Sequence, residues 1–152
     1  MDLISSEVKK LEEILKDVLI FSNKAVFKRE MKDINKVIDD SVNVYEDTCK
    51  NASIDVNKLF GNVPQIYIDE SQVRVAISNL ISNAIDAMPY GGTLTATTDV
   101  ESLSGKKHVT VKIIDTGVGI PEEKLTMIYE PFFTSNRTFG SFPCLMAELI
   151  EK

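Results

Sequence analysis

The segment Val73–Met88 restricts the possible folds more than any other, because it joins a helical apolar stripe to a pair of stacked amides. Val73, Ile77, Leu80, Ala84 and Met88 recur at spacings of three and four, the core-facing pattern of an amphipathic helix. Asn79 and Asn83 are four residues apart, so one side chain lies above the other on a second face. Asparagine is a poor helix former and a weaker solubiliser than Lys or Glu. A stacked pair beside a core face therefore suits a partner that takes neutral oxygen ligands. Taken alone, the pair is explained more simply by hydrogen bonds to neighbouring loops. The motifs downstream shift that balance.

The run Val109–Pro121 starts as a strand, with Val109, Val111 and Ile113 alternating on one buried face. It ends in Asp115-Thr116-Gly117-Val118-Gly119. A carboxylate is an acceptor only, so at a strand end Asp115 suits the NH2 group of a ligand. Gly117 and Gly119 let the backbone approach a flat or charged ligand with no Cβ in the way. An Asp-x-Gly-x-Gly on its own is common in turns after strands. Glu130-Pro131-Phe132-Phe133-Thr134 follows, an aromatic pair in a proline-broken loop that would otherwise read as anchors for the core.

These three motifs, in this order and spacing, resemble the ATP-binding domain of sensor histidine kinases, in the superfamily shared with gyrase, mismatch-repair and heat-shock chaperone ATPases. Asn79–Met88 resembles its asparagine box, Asp115–Gly119 its first glycine box and Glu130–Thr134 its phenylalanine box. Asp69-Glu70 and Met88-Pro89-Tyr90-Gly91-Gly92-Thr93-Leu94 also match the family wording. The resemblance implies an α+β fold, a two-layer sandwich with a mixed sheet covered by helices on one face. It implies ATP and Mg2+ as cofactors and transfer of the γ-phosphoryl group within a two-component system.

Residue roles follow from the resemblance by position. Asn83 matches the oxygen ligand of Mg2+ on the ATP phosphates, a hard donor for a hard cation. Asp115 matches the acceptor of the adenine amine, and Gly117, Gly119 and Ile120 line the nucleotide with Asp86. Phe132 and Phe133 match the hinge of the loop that closes over it. Asn79 stands where hydrolytic relatives carry a glutamate that activates water. An amide takes up no proton, so phosphoryl transfer to a protein group is favoured over hydrolysis.

Two departures from the family pattern stand out. Where a second glycine box is expected, the chain has Arg137-Thr138-Phe139-Gly140-Ser141-Phe142-Pro143. Thr138 is kept as a phosphate-side residue, but Arg137, Phe139 and Ser141 hold glycine positions. Side chains there would crowd the phosphates and disfavour φ > 0, so weakened triphosphate binding is expected, although Arg137 could pair with a phosphate. A nucleotide-dead interaction module of the same fold, or a hydrolytic ATPase, are the competing functions. The other departure is the phosphoacceptor. His108 is the only histidine, it falls inside a strand, and nothing around it resembles the family's phosphorylated His. This chain alone is therefore expected not to autophosphorylate.

The N-terminal part is a separate object. Ile4, Val8, Leu11, Leu15 and Val18, widened by Ile14 and Phe21, form the seam of a helical bundle. The resemblance makes residues 1–24 the second helix of a dimerisation hairpin, 25–33 a linker and 34–152 a catalytic domain cut short at its C-terminus. Asp33 would cap a helix running to about Lys50 with Ile34, Val37, Ile38, Val42 and Tyr45 inward. Ser53–Val56 and Gln65–Ile68 read as strands, and Thr93–Val100 pairs with Lys107–Ile114 across Ser104-Gly105. Strands expected beyond Lys152 would leave the edge of 109–114 open, so self-association through that edge or the N-terminal seam is expected.

Bulk properties exclude some classes. A net charge of −6 and no Lys/Arg cluster argue against direct nucleic-acid binding. Cys49 and Cys144 lack metal spacing and fit a reducing compartment. No apolar run approaches membrane-spanning length, so the chain reads as soluble with no direct membrane contact, and the resemblance implies a cytoplasmic domain or the cytoplasmic part of a membrane-bound sensor. A second kinase copy in a homodimer and the receiver domain of a response regulator are the expected partners.

Overall fold

The structure, a computed structural model, describes residues 28–124. The elements in chain order are β1 (Glu30–Lys32), α1 (Ile34–Asn43), α2 (Glu46–Asn51), β2 (Ile54–Phe60), β3 (Ile66–Ile68), α3 (Glu70–Asp86), β4 (Gly92–Leu103) and β5 (Lys106–Asp115), followed by a 3-10 turn at Glu122–Lys124. The N-terminal seam, the phenylalanine box with Phe132 and Phe133, Thr138 with the altered glycine positions, and Cys144 lie outside the described residues.

A three-stranded sheet has the order β2-β4-β5, with β2 parallel and β5 antiparallel to β4. β1 and β3 form a separate antiparallel ribbon. The expected mixed α+β architecture is therefore present. Alternation along β4 turns Leu94, Ala96 and Thr98 inward, each buried, because successive side chains of a strand point to opposite faces. Ile34, Val37, Ile38 and Val42 of α1 and Val73, Ile77, Ile81 and Ala84 of α3 meet that face in one apolar cluster. The core is thus one sheet face under two helices.

The hairpin matches its reading and lengthens it. β4 and β5 stay in register from Leu94↔Asp115 to Leu103↔Lys106. The two connecting residues, Ser104 (φ 52°) and Gly105 (φ 79°), both have positive φ, as a two-residue turn needs to follow the strand twist. Among the described residues β5 pairs with β4 alone.

Several readings change. The helix expected from Asp33 to about Lys50 is two helices, broken at Val44-Tyr45, where Tyr45 N donates to Val42 O at 2.9 Å. Its apolar phase runs on through Val42, Tyr45 and Cys49, so periodicity carried no sign of the break. The cap itself is as expected, Asp33 accepting from Asn35 N and Lys36 N. β2 runs on from Val56 to Phe60, paired with β4 throughout, and the Nζ of its Lys58 meets Asp39 at 2.9 Å, Glu46 at 3.0 Å, and Asn43. On α3 the fully buried residue is Ile81, whereas Leu80 is only half-buried. Within the stretch read as linker, residues 30–32 form β1.

A polar knot fastens α1 to the sheet. Thr98 Oγ1 donates to Asn35 Oδ1 at 2.6 Å, and Asn35 Nδ2 donates to Gly61 O at 2.9 Å. A Cβ on Gly61 would lie 2.6 Å from Thr98 O, so only glycine lets the chain leave β2 this close to β4.

Candidate nucleotide site

The site is built at the C-terminal end of α3. That helix starts at Asp69, whose Oδ1 accepts from Ser71 N at 3.0 Å and Gln72 N at 3.2 Å, a side-chain N-cap. Seventeen residues later, about 25 Å at 1.5 Å per residue, it ends at Asp86. Asn79 and Asn83 lie half-buried on its flank and Asp86 is exposed. Among the described residues neither amide side chain has a hydrogen-bond partner. The simpler reading, in which both bond neighbouring loops, finds no such bond among the described residues.

The second component is the loop after β5. Gly117 N donates to Asp115 Oδ1 at 2.9 Å, an Asx turn that leaves the other carboxylate oxygen for an outside donor. Val118 N donates to Ala87 O at 3.0 Å. A Cβ on Gly117 would lie 2.4 Å from that same oxygen. Gly117 is therefore glycine because of the helix end, and any ligand contact comes on top of that requirement. Gly119 has φ +69° and open space around its Cβ position, so its backbone is bare to a ligand. Ile120 and Val118 are exposed.

Ala87 N in turn donates to Asn83 O at 3.0 Å. The loop is thus pinned one helical turn from Asn83, about 6 Å along the axis. These two backbone bonds set the loop of Asp115, Gly117, Gly119 and Ile120 against the end of the helix that carries Asn79, Asn83 and Asp86. His108 is elsewhere, half-buried opposite Glu101 with Nδ1 3.1 Å from Lys106 O.

The sequence reading gives Thr116 no role, and it gives the Met88–Leu94 run none beyond its match. Thr116 Oγ1 accepts from Thr93 N at 2.9 Å and donates to the buried Met88 Sδ at 3.8 Å. Gly91 N donates to Met88 O at 3.1 Å, and Gly92 N to Ser53 O at 3.2 Å. These bonds close the Met88–Thr93 turn against the loop. The signal available was the hydroxyl between Asp115 and Gly117, but a threonine there is unremarkable without knowing what it faces.

The far end of α3 has a different chemistry. Arg74 bonds Glu70 at 2.8 Å and Asp40 at 3.1 Å, and Lys32 bonds Glu70 at 3.3 Å. The Arg74 and Lys32 hydrogen bonds hold the Glu70 carboxyl below its ordinary range. The Ser71 hydroxyl does the same for Asp69, helped by the Lys28, Gln72 and Ser71 amides. Clefts of about 250 Å³ beside Arg74 and about 450 Å³ beside Lys50 contain none of the candidate residues. Among the described residues no group of three or more His, Cys, Asp or Glu side chains gathers to hold a metal, and no helix is long and apolar enough to cross a membrane.

The profile of the histidine kinase-, DNA gyrase B- and HSP90-like ATPases matches residues 68–143, half of the 152 residues, and the chain belongs to that family. Its kind within the family is the ATP-binding catalytic domain of histidine kinases, as its relatives indicate. Sporulation kinase A of Bacillus subtilis is 35% identical over 141 residues, 88% of this chain and 22% of that kinase. Sporulation kinase E of the same organism is 28% identical over 135 residues, 88% of this chain and 18% of that one. The chain thus spans about a fifth of either relative. Among solved structures, histidine kinase ThkA in complex with the response regulator protein TrrA is 28% identical with a TM-score of 0.70, over 88% of this chain and 39% of that one.

Proposed function

We propose that this domain binds ATP with Mg2+ and donates the γ-phosphoryl group to a histidine carried elsewhere in its kinase. The observation that carries the reading is the attachment of the Asp115–Val118 loop to the last turn of α3. It fixes the loop that carries the acceptor-only Asp115 carboxylate to Ala87, one helical turn beyond Asn83, whose half-buried amide has no partner among the described residues. Asp115 accepts from the adenine amine with the oxygen not used by Gly117. The Asn83 amide oxygen fits a hard cation held mainly by phosphates, which needs no cage of protein carboxylates. Asp86, Gly117, Gly119 and Ile120 border the nucleotide, and the resemblance assigns Phe132, Phe133 and Thr138 to the covering loop. Asn79 offers no base for water, so the group passes to a protein acceptor.

The wider assignment follows the relatives. A response regulator is the downstream partner, by analogy with the ThkA–TrrA complex. Residues 1–24 pair with a second copy, the stretch from residue 25 to the start of β1 connects them to the catalytic domain, and the whole works in the cytoplasm. The chain by itself transfers nothing, since His108 sits in a strand away from the site.

A second reading is favoured by one observation. Arg137, Phe139 and Ser141 occupy positions where the family pattern has glycine, which favours a domain that kept the fold and lost the phosphates. Calorimetric titration of Mg-ATP and ADP separates the two. Micromolar binding by the parent chain supports the kinase domain. Binding only after glycines are restored at those three positions identifies a disabled one, and binding by neither rejects the ATP reading.

A further inference from the structure

We propose that Thr116 is a positioning residue that determines purine selectivity, an inference that rests on the ATP reading above. The register of β4 with β5 ends at Leu94↔Asp115. One step further, Thr93 would face Thr116, and the Thr116 side-chain oxygen accepts from Thr93 N at 2.9 Å. The hydroxyl thereby adds a rung to the ladder immediately beyond the residue that faces the ligand. Its proton goes to Met88 Sδ at 3.8 Å, on the residue that follows the α3 C-cap. One hydroxyl therefore ties the loop to both the first strand residues of β4 and the end of the site helix.

The surroundings are cut to fit that hydroxyl. A Cβ on Gly92 would lie 2.6 Å from Thr116 Oγ1 and 2.7 Å from Met88 Sδ, so the turn comes this close only because Gly92 has no side chain. On the other flank, Val118 N and the bare Gly117 close on Ala87 O. Asp115 is held between the two fastenings, one of its oxygens already used by Gly117 N. A carboxylate discriminates an amine from a keto group only if its free oxygen is fixed, because 6-NH2 donates to it and a 6-keto oxygen repels it. Thr116 supplies that fixity at the end where β5 stops pairing.

The test compares ADP with inosine diphosphate, which has a keto oxygen in place of the 6-amine, by calorimetry on the full chain and on its Thr116→Val and Thr116→Ser variants. Thr116→Val keeps the shape and loses both bonds; Thr116→Ser keeps the hydroxyl. The preference for ADP is expected to fall about fivefold in Thr116→Val, the worth of one modest hydrogen bond, and to return in Thr116→Ser. Amide exchange at Gly117 and Val118 should quicken in the valine variant alone. Equal weakening of both nucleotides, or unchanged preference in Thr116→Val, overturns the inference while leaving the ATP reading intact. Binding of neither nucleotide by the parent or by the glycine-restored chain overturns both.

Discussion

The two ends of α3 both carry polar side chains and behave as opposites. At the N-terminal end every charged group has a partner: Asp69 takes the Ser71 and Gln72 amides and Lys28 N, Glu70 takes Lys32 and Arg74, and Arg74 reaches Asp40. At the C-terminal end Asn79 and Asn83 have none among the described residues, and one oxygen of Asp115 is spare. Half-buried polar groups are normally satisfied, so the end left unsatisfied among the described residues is the one the proposed nucleotide would complete. The difference teaches that a site is recognised by polar groups left over after the fold has bonded the rest. It also divides the expected effects of substitution, with stability at one end and binding at the other.

The largest effect should fall between the ends. Ile81 has no solvent exposure and supports both, so Ile81→Ala should cost about 3 kcal/mol in denaturant unfolding. A loss much below 1 kcal/mol would mean the core there collapses around the gap. At the site end, Asp115→Asn should weaken ADP binding about tenfold or more, measured in whichever of the parent or glycine-restored chain binds. Its unfolding midpoint should hardly move, since Asn still accepts from Gly117 N. A large drop in stability with unchanged affinity would invert the comparison.

The capping end sharpens it through pH. Asp69 and Glu70 have folded-state pKa values below their ordinary ones, through the Ser71 hydroxyl and the Arg74 and Lys32 side chains. Their contribution is complete above the ordinary carboxylate range. It is lost as pH falls through that range to the lowered folded values, because the unfolded chain takes up the protons first. Unfolding curves measured down that range should show a shallower decline for Asp69→Asn than for the parent, with nucleotide affinity at neutral pH unchanged. Parallel declines would remove Asp69 from the account. The smallest effect is expected at Lys112–Glu101, an exposed pair across the hairpin. Lys112→Ala should leave both stability and binding within experimental error, and a clear shift in either would make that pair more than a surface contact.

The sequence by itself determined the elements and most of the candidate residues. Period-two alternation marked β5, the Asp33 cap marked the start of α1, and the Ser104-Gly105 turn fixed the hairpin. The stacked amides and the Asp-x-Gly-x-Gly run pointed to the candidate nucleotide site through the order in which they match the family. Local patterns encode which face of an element is apolar, and that is all these readings needed. Tertiary structure decided what no local pattern contains. It broke α1 from α2 although the apolar phase runs straight across, buried Ile81 in place of Leu80, and gave Lys58 three acceptors within a lengthened β2. It explained Gly117 by the Ala87 oxygen and gave Thr116 its two partners. The contacts of Lys58, Gly117 and Thr116 join residues distant in sequence, and their geometry exists only once the sheet and helices have packed.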